Sequence, residues 1–384
     1  MKKLLLILSL LLLTGCSSNY RELNELGIIT AFGIKKVENE YELDLQLVNI
    51  MESGKNGVEE SPITIVSGKG KTIFDAARSL NLKSSKIFFL ADVKYVILDK
   101  SILTEDLNEI MDFLSRDTRL SMNFIVVTCT ENDPIDILSS LSEFEINPAT
   151  NLYNIVSLSE LRYGLSYSLT IKKFLSDYLE NGKDILIPNI VLNGSTKDSQ
   201  NIDNLENSNT PSYIELKDLV FINDKKEIIH LTDDEMFGYN FINNNIKNAT
   251  ITTECEGGYY TVETLTSKTK LKDKLKEDKI IISSDIEAEL VYYGCNEQFN
   301  NKKTLDKISN KVEDTIENYY KKVISKSKEN NSDFIGLGNY IYKSNPKYFN
   351  FDKNNWNKEG LNKLNFDYKV EVNIYKQGNL KEEV

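Results

Sequence analysis

The chain opens with an aliphatic run too short to cross a membrane, and a cysteine closes it. Met1-Lys2-Lys3 is positive, residues 4–13 are almost unbroken Leu and Ile, and Leu13-Thr14-Gly15-Cys16 follows. About ten apolar residues cannot span a bilayer that needs roughly 20. A basic start, a short apolar run and small residues before a cut are the layout of a secretory signal peptide. An aliphatic residue, two small residues and a Cys specify more: a lipobox, where a bacterial lipoprotein is diacylated on sulfur and then cut. Cysteine is required because its thiolate is the nucleophile that takes the lipid. Residues 1–15 are therefore expected to be removed, and the mature chain to start at a lipidated Cys16, with Ser17-Ser18-Asn19 as a polar tether. An ordinary signal peptide or a cytosolic chain with an apolar start are the weaker readings of the same residues.

The chain beyond Cys16 has to fold outside the cytoplasm as a water-soluble body. No later stretch holds 18 consecutive apolar residues, and a 40% apolar content is enough to build real cores. The net charge of −12 becomes −14 once Lys2 and Lys3 are cut away. Nucleic-acid binding needs clustered Lys and Arg, so an acidic body excludes it. The same charge argues against lying flat on anionic lipid, which leaves the acyl chains to hold the protein; two or more anchor stably.

Periodicity predicts an α+β fold, with mixed and antiparallel sheets and packed helices in two or three domains. Residues 26–34 read as a buried strand, and residues 41–47 alternate strictly, so the two form a hairpin. Next come a strand at 63–66, a helix over 71–82, a strand at 92–98, a helix marked by Leu103, Leu107, Ile110 and Leu114, and a strand at 122–128. Asp133-Pro134 and Asn147-Pro148 each place a capping residue before a first-turn Pro, predicting helices over 134–140 and 148–161. A helix over 171–179 and a strand over 185–192 close an N-terminal region, residues 16–192, that could divide near Cys129. Residues 193–211 are Asn, Ser, Asp and Thr with little to bury, and are expected to be a linker or mobile loop. The C-terminal domain, residues 212–384, starts with strands at 214–222 and 227–231. Thr232-Asp233-Asp234-Glu235 is a capping box; strands at 259–269, 279–293 and 366–374 surround a long amphipathic helix at 302–328.

Candidate chemistry is sparse. Gly68-Lys69-Gly70-Lys71-Thr72 invites a phosphate-loop reading, but the earlier Gly that the motif needs is Ile65, so the glycines are expected to make a turn. The single histidine, His230, rules out multi-His metal sites, and no Cys-x-x-Cys occurs. A pair of acids of the glycosidase type has no local signature and stays open. No catalytic, cofactor or metal residue is assigned. Cys129 ends an apolar run and is expected to be a buried free thiol. If residues 272–278 turn the chain near Leu275, a regular hairpin sets Cys255 opposite Cys295 for a disulfide. Bulges at Gly257-Gly258 or Gly294 would instead leave two unrelated thiols.

Several stretches together resemble the Ger(x)C lipoproteins, the C subunits of the nutrient germinant receptors of endospore-forming bacteria. They are Cys16 after its lipobox, Glu22-Leu23-Asn24-Glu25-Leu26-Gly27-Ile28-Ile29 leading to Phe32-Gly33-Ile34, and Gly70-Lys71-Thr72-Ile73-Phe74-Asp75-Ala76 with Leu82-Lys83-Ser84. Phe113-Leu114-Ser115-Arg116-Asp117, residues 267–272, and Asp333-Phe334-Ile335-Gly336-Leu337-Gly338 running to Asn345-Pro346-Lys347 complete the set. Family members usually carry Trp directly after the lipid Cys, where this chain has Ser17. The Gly-His they often have is replaced near Leu90-Ala91-Asp92. The resemblance implies a non-enzymatic subunit on the outer face of the inner spore membrane, partnered by integral-membrane A and B subunits, with a three-domain body. Two rivals share the lipid anchor: a solute-binding lipoprotein of a transporter, with two lobes around a ligand cleft, and a cell-wall glycosidase.

Overall fold

The fold was obtained as a computed structural model, which describes residues 22–49, 61–117, 120–206, 211–297, 301–349 and 355–376. Two sheets share one continuous core. The larger begins with β1 (Leu26–Val37) and β2 (Glu40–Val48), an antiparallel hairpin with Phe32 opposite Leu45, turned at Glu38, whose φ is 58°. Beyond them lie β3 (Ile63–Gly70), the short β4 (Ile87–Phe89), β5 (Tyr95–Asp99), β6 (Ile125–Cys129), β7 (Leu186–Asn193), β8 (Tyr213–Ile222) and β9 (Ile228–His230). Their order is β3-β2-β1-β5-β6-β7-β8-β9, with β4 paired to the first residues of β1. β1, β5 and β6 run parallel and are apolar almost throughout because helices cover both faces. Phe32, Val96, Leu98 and Val126 point to one side. Ala31, Tyr95, Ile97, Val127 and Cys129 point to the other, under Ile137, Leu138, Leu152 and Val156 of the helices Pro134–Ser139 and Pro148–Arg162.

The second sheet is β10 (Thr250–Cys255), β11 (Gly258–Lys274), β12 (Lys279–Tyr293) and β13 (Asn365–Lys376) in that order, with the last pair parallel. Ile280, Ile282, Ile286, Ala288 and Leu290 alternate inward along β12. They meet Ile308, Val312, Ile316 and Val323 of the helix Asn301–Glu329. One further helix, Asp233–Ile242, joins the halves. It opens with the Thr232–Glu235 capping box and is buried from Met236 to Ile242, so it has no water-facing side over that stretch. Phe237 stacks on Tyr319 (ring centroids 5.4 Å apart), and Tyr239 meets Tyr167 of the first half at 5.4 Å.

The topology sets four expectations in a different light. Residues 193–211 connect β7 to β8, adjacent antiparallel strands of one sheet, so β8 and β9 pair with the first half. Polar composition hid this because the connection is pinned by hydrogen bonds rather than apolar burial. Leu141 N donates to Ser199 O (2.8 Å), the Ser140 and Ser199 hydroxyls lie 3.0 Å apart, and Asn204 Nδ2 donates to Ser212 O (3.1 Å). Near residue 130, where the N-terminal region could divide, β6 ends in the middle of the sheet. The glycines of the rejected phosphate loop lie in β3 rather than in a turn. A Cβ on Gly68 would sit 2.3 Å from Ala76 O, and one on Gly70 2.4 Å from Ala76 N, so their bareness lets the helix Ile73–Ser79 lie against the strand. The helix expected around residues 103–114 is broken at Asp106, which pairs with Lys36 of β1.

The tight approach of the joining helix to its neighbour can be tested by substitution. A Cβ on Gly238 would fall 2.4 Å from Tyr319 O and 2.8 Å from Val323 Cγ1. Gly238→Val is expected to cost about 1–3 kcal/mol through overpacking, read as a lower urea midpoint at unchanged m-value.

Candidate functional site

The lipobox residues Leu13, Thr14, Gly15 and Cys16 lie outside the described residues. The densest polar constellation inside the body is a joint between the two halves, built around a buried acid. The helix Asn301–Glu329 ends and the chain turns through Ser332-Asp333 into the short helix Leu337–Ser344, entered through Gly336 at φ 88°. Asp333 is fully buried, and both carboxylate oxygens are occupied. Oδ1 accepts from the backbone N–H groups of Gly336 (2.8 Å) and Leu337 (3.0 Å). Oδ2 accepts from Gly338 N (2.6 Å) and from the indole Nε1 of Trp356 (2.8 Å). The carboxylate thus sits at a helix N-terminus, where free N–H groups and the helix dipole favour negative charge. Burial pushes its carboxyl up to about 6, and the four donors limit the rise.

The first half clasps this turn with residues 181–184. Asp184 Oδ2 accepts from Ser332 Oγ (2.9 Å), Asp333 N (2.9 Å) and Asn357 Nδ2 (2.7 Å), while Asp184 N donates to Asp333 O (2.9 Å). Asn339 N donates to Gly182 O (2.9 Å). Gly182, at φ +68°, lies so close that a Cβ would meet Gly338 backbone at 2.7 Å. Lys183 turns inward to Asp177, the pair buried at 2.9 Å. A cleft of about 380 Å³ opens beside the joint, yet Asp184 and Asn357, its polar groups nearest the turn, are bonded to each other. The stretch 333–338, conspicuous in sequence only as a resemblance, is therefore a structural clasp. Asp184, Gly182 and Trp356, which complete it, carry no local signature in the sequence.

Cys255 and Cys295 are joined by a disulfide, with Cα atoms 5.8 Å apart. The route differs from a simple hairpin pairing. The β11–β12 register sets Tyr260 opposite Tyr293, and Gly294 N donates to Tyr259 O, which carries Cys295 to the level of Gly258. Cys255 belongs to β10 and is brought beside Gly258 by the turn at Gly257, at φ +80°. The bond thus ties β10 to the end of β12 across the tip of β11. Cys129 is a buried free thiol pushed well up by burial, which keeps it protonated and inert. His230 Nδ1 lies 2.8 Å from Asp218 Oδ2, and Asp218 Oδ1 accepts from Asn189 (2.9 Å), a polar line across β7, β8 and β9.

Two family descriptions match the chain: "Spore germination protein N-terminal domain" over residues 19–192, and "Spore germination B3/ GerAC like, C-terminal" over residues 219–378. The gap between them overlaps the connection from β7 to β8, so the two matches meet within one sheet. Spore germination protein KC of Bacillus subtilis (strain 168) is 26% identical over 390 residues, taking in 97% of this chain and 95% of that protein. Spore germination protein B3 of the same organism is 21% identical over 378 residues, 96% of each. The crystal structure of the GerBC protein superposes with a TM-score of 0.55 at 17% identity, covering 89% of this chain and 96% of that one, so the fold is shared.

Both covalent and polar clasps can be tested. Because the folded chain holds the Asp333 proton more tightly than the unfolded chain (about 6 against 3.8), acid stabilises this group. Its contribution is complete below about pH 4 and is lost as pH rises through about 6, a change of about 3 kcal/mol. Asp333→Asn should abolish that part of the slope when urea midpoints of both proteins are compared from pH 4 to 7. It should also cost about 1–3 kcal/mol at pH 7, where an amide N–H replaces an accepting carboxylate oxygen among the donors. Replacing Cys255 and Cys295 together by Ser should lower stability by about 2–4 kcal/mol, read as the loss in unfolding free energy under oxidising conditions.

Proposed function

Since the chain belongs to the spore germination B3/GerAC-like family, we propose that it is the lipid-anchored C subunit of a nutrient germinant receptor, acting by protein contacts and not by catalysis. The observation that carries this is the order and reach of the two family domains, which together with full-length similarity to protein KC take in nearly all of the mature chain. The lipobox supports attachment through Cys16, the outer face of the inner spore membrane is the location that suits it, and integral-membrane A and B subunits are the partners.

The form of the body favours this reading over the solute-binding rival. A solute-binding lobe pair closes around its ligand by a hinge, whereas here a buried helix and a hydrogen-bonded clasp run between the halves.

In the spore-forming host, Cys16→Ala is expected to leave the precursor uncut, move it out of the acylated membrane fraction, and slow or abolish germination with nutrients while leaving nutrient-independent germination intact. Metabolic labelling with a fatty-acid analogue reads the first effect, and loss of spore refractility reads the second. Cross-linking in dormant spores that recovers a permease and an ATPase in place of two receptor subunits would overturn the assignment in favour of a transporter.

A further inference from the structure

Where the tether enters the body, the surface reverses the character of the rest of the protein. β1 starts at Leu26, about ten residues after Cys16, a span of at most roughly 35 Å. Its first residues pair with β4, Leu26 beside Ile87 and Ile28 beside Phe89, and β4 pairs with no other strand among the described residues. Around this corner large apolar side chains stand in water: Leu82 is 89% exposed, Phe74 50%, Phe89 42% and Ile87 41%. Phe74 and Ile87 rim an apolar cleft of about 230 Å³ floored by Ile29, Phe32 and Leu45. Such a cluster is uncommon on a surface that meets only water.

The segment that carries these side chains is locally basic. Across residues 71–91 there are four basic side chains, Lys71, Arg78, Lys83 and Lys86, and one acidic, Asp75, in a chain whose net charge is −12. Arg78 lies over the Phe74 ring at 5.2 Å, and Lys83 follows Leu82 directly, bonding Ser67 O at 2.7 Å. Acids border the corner as well: Asp117 at the rim of the cleft, Glu22 and Glu25 just before β1, and Asp92 just after β4, where it pairs with Lys94.

We propose that this corner, Phe74, Leu82, Ile87 and Phe89 with their basic rim, is a second membrane contact that inserts shallowly into an anionic phospholipid surface. Exposed apolar side chains enter the headgroup boundary while Lys and Arg meet phosphates, the pairing by which interfacial segments bind. The tether selects this occupant, because the corner borders the strand that the lipid anchor leads into. The proposal rests on the reading of Cys16 as lipidated.

Reconstituting the full-length lipoprotein into vesicles of phosphatidylglycerol and phosphatidylcholine with brominated acyl chains tests it. A solvent-sensitive fluorophore is placed by Leu82→Cys, or by Lys225→Cys in the turn before the far-edge strand β9. Cys129 is buried and the other two body cysteines are bonded, so neither competes for label. Quenching at position 82 should exceed that at 225 by at least roughly twofold, and should fall to the level at 225 in phosphatidylcholine alone or with Lys83→Glu and Lys86→Glu together. Those two lysines are exposed, so an unchanged urea midpoint separates loss of contact from loss of fold. Equal, weak quenching at both positions in protein that still floats with vesicles overturns the contact and leaves the anchor standing. Protein that does not float at all overturns both. Quenching at 82 that needs the integral-membrane subunits overturns the lipid assignment in favour of a groove for a protein helix.

Discussion

A carboxylate sealed from water has to find its hydrogen-bond donors inside the protein, and that requirement at Asp333 organises the meeting of the two halves. Leaving an ionised carboxylate buried without partners costs several kcal/mol even after relaxation. Four N–H groups converge on this one, three from the backbone entering a helix and one from the indole of Trp356. The backbone can approach so closely only where side chains are absent. Gly338 is bare because a Cβ would lie 2.4 Å from the Trp356 nitrogen, and Gly182 because it abuts Gly338. One buried acid therefore accounts for two glycines and the tryptophan. Through Asp184, which binds the same turn, it also ties in the end of the first half.

The consequence is mechanical. β1 lies between β2 and β5, hydrogen-bonded on both sides, and its side chains are buried on both faces. Force arriving along the tether meets a strand that cannot peel off an edge. It is passed to a core that runs on through the helix Asp233–Ile242 to the second sheet. A subunit that works by touching neighbours benefits from such stiffness, because displacement at one surface is not absorbed by a hinge before it reaches another.

Patterns that repeat locally were legible in the sequence. The alternation of residues 41–47 and 366–374, the Thr232–Glu235 capping box and the apolar face of the helix Asn301–Glu329 each follow from a period of two or 3.6, and each is found in place. What composition could not convey was which strands lie side by side. Residues 193–211 hold few apolar side chains, yet Ser199 and Asn204 are buried, because small polar groups can be satisfied by backbone partners without building a core. Gly68 and Gly70 read as a turn, when the feature they serve is a helix packed on a strand. Asp333 was one carboxylate among 58 acidic residues; only its donors mark it out, and they come from positions as far along as 356.

Net charge misleads for a related reason. A total of −12 describes the field at distance, where it repels anionic surfaces, but contact is decided within a Debye length of roughly 8–10 Å. Within residues 71–91, the segment that carries β4, the charges are mostly positive and the side chains between them apolar. Alone, a patch of that size would bind lipid weakly against the repulsion of the remaining body. Under the proposed lipidation of Cys16, acyl chains a short tether away would hold it at an effective concentration set by the tether, at which weak intrinsic affinity is sufficient. In that proposal the lipid limits how far the body strays, and the patch sets which way it faces.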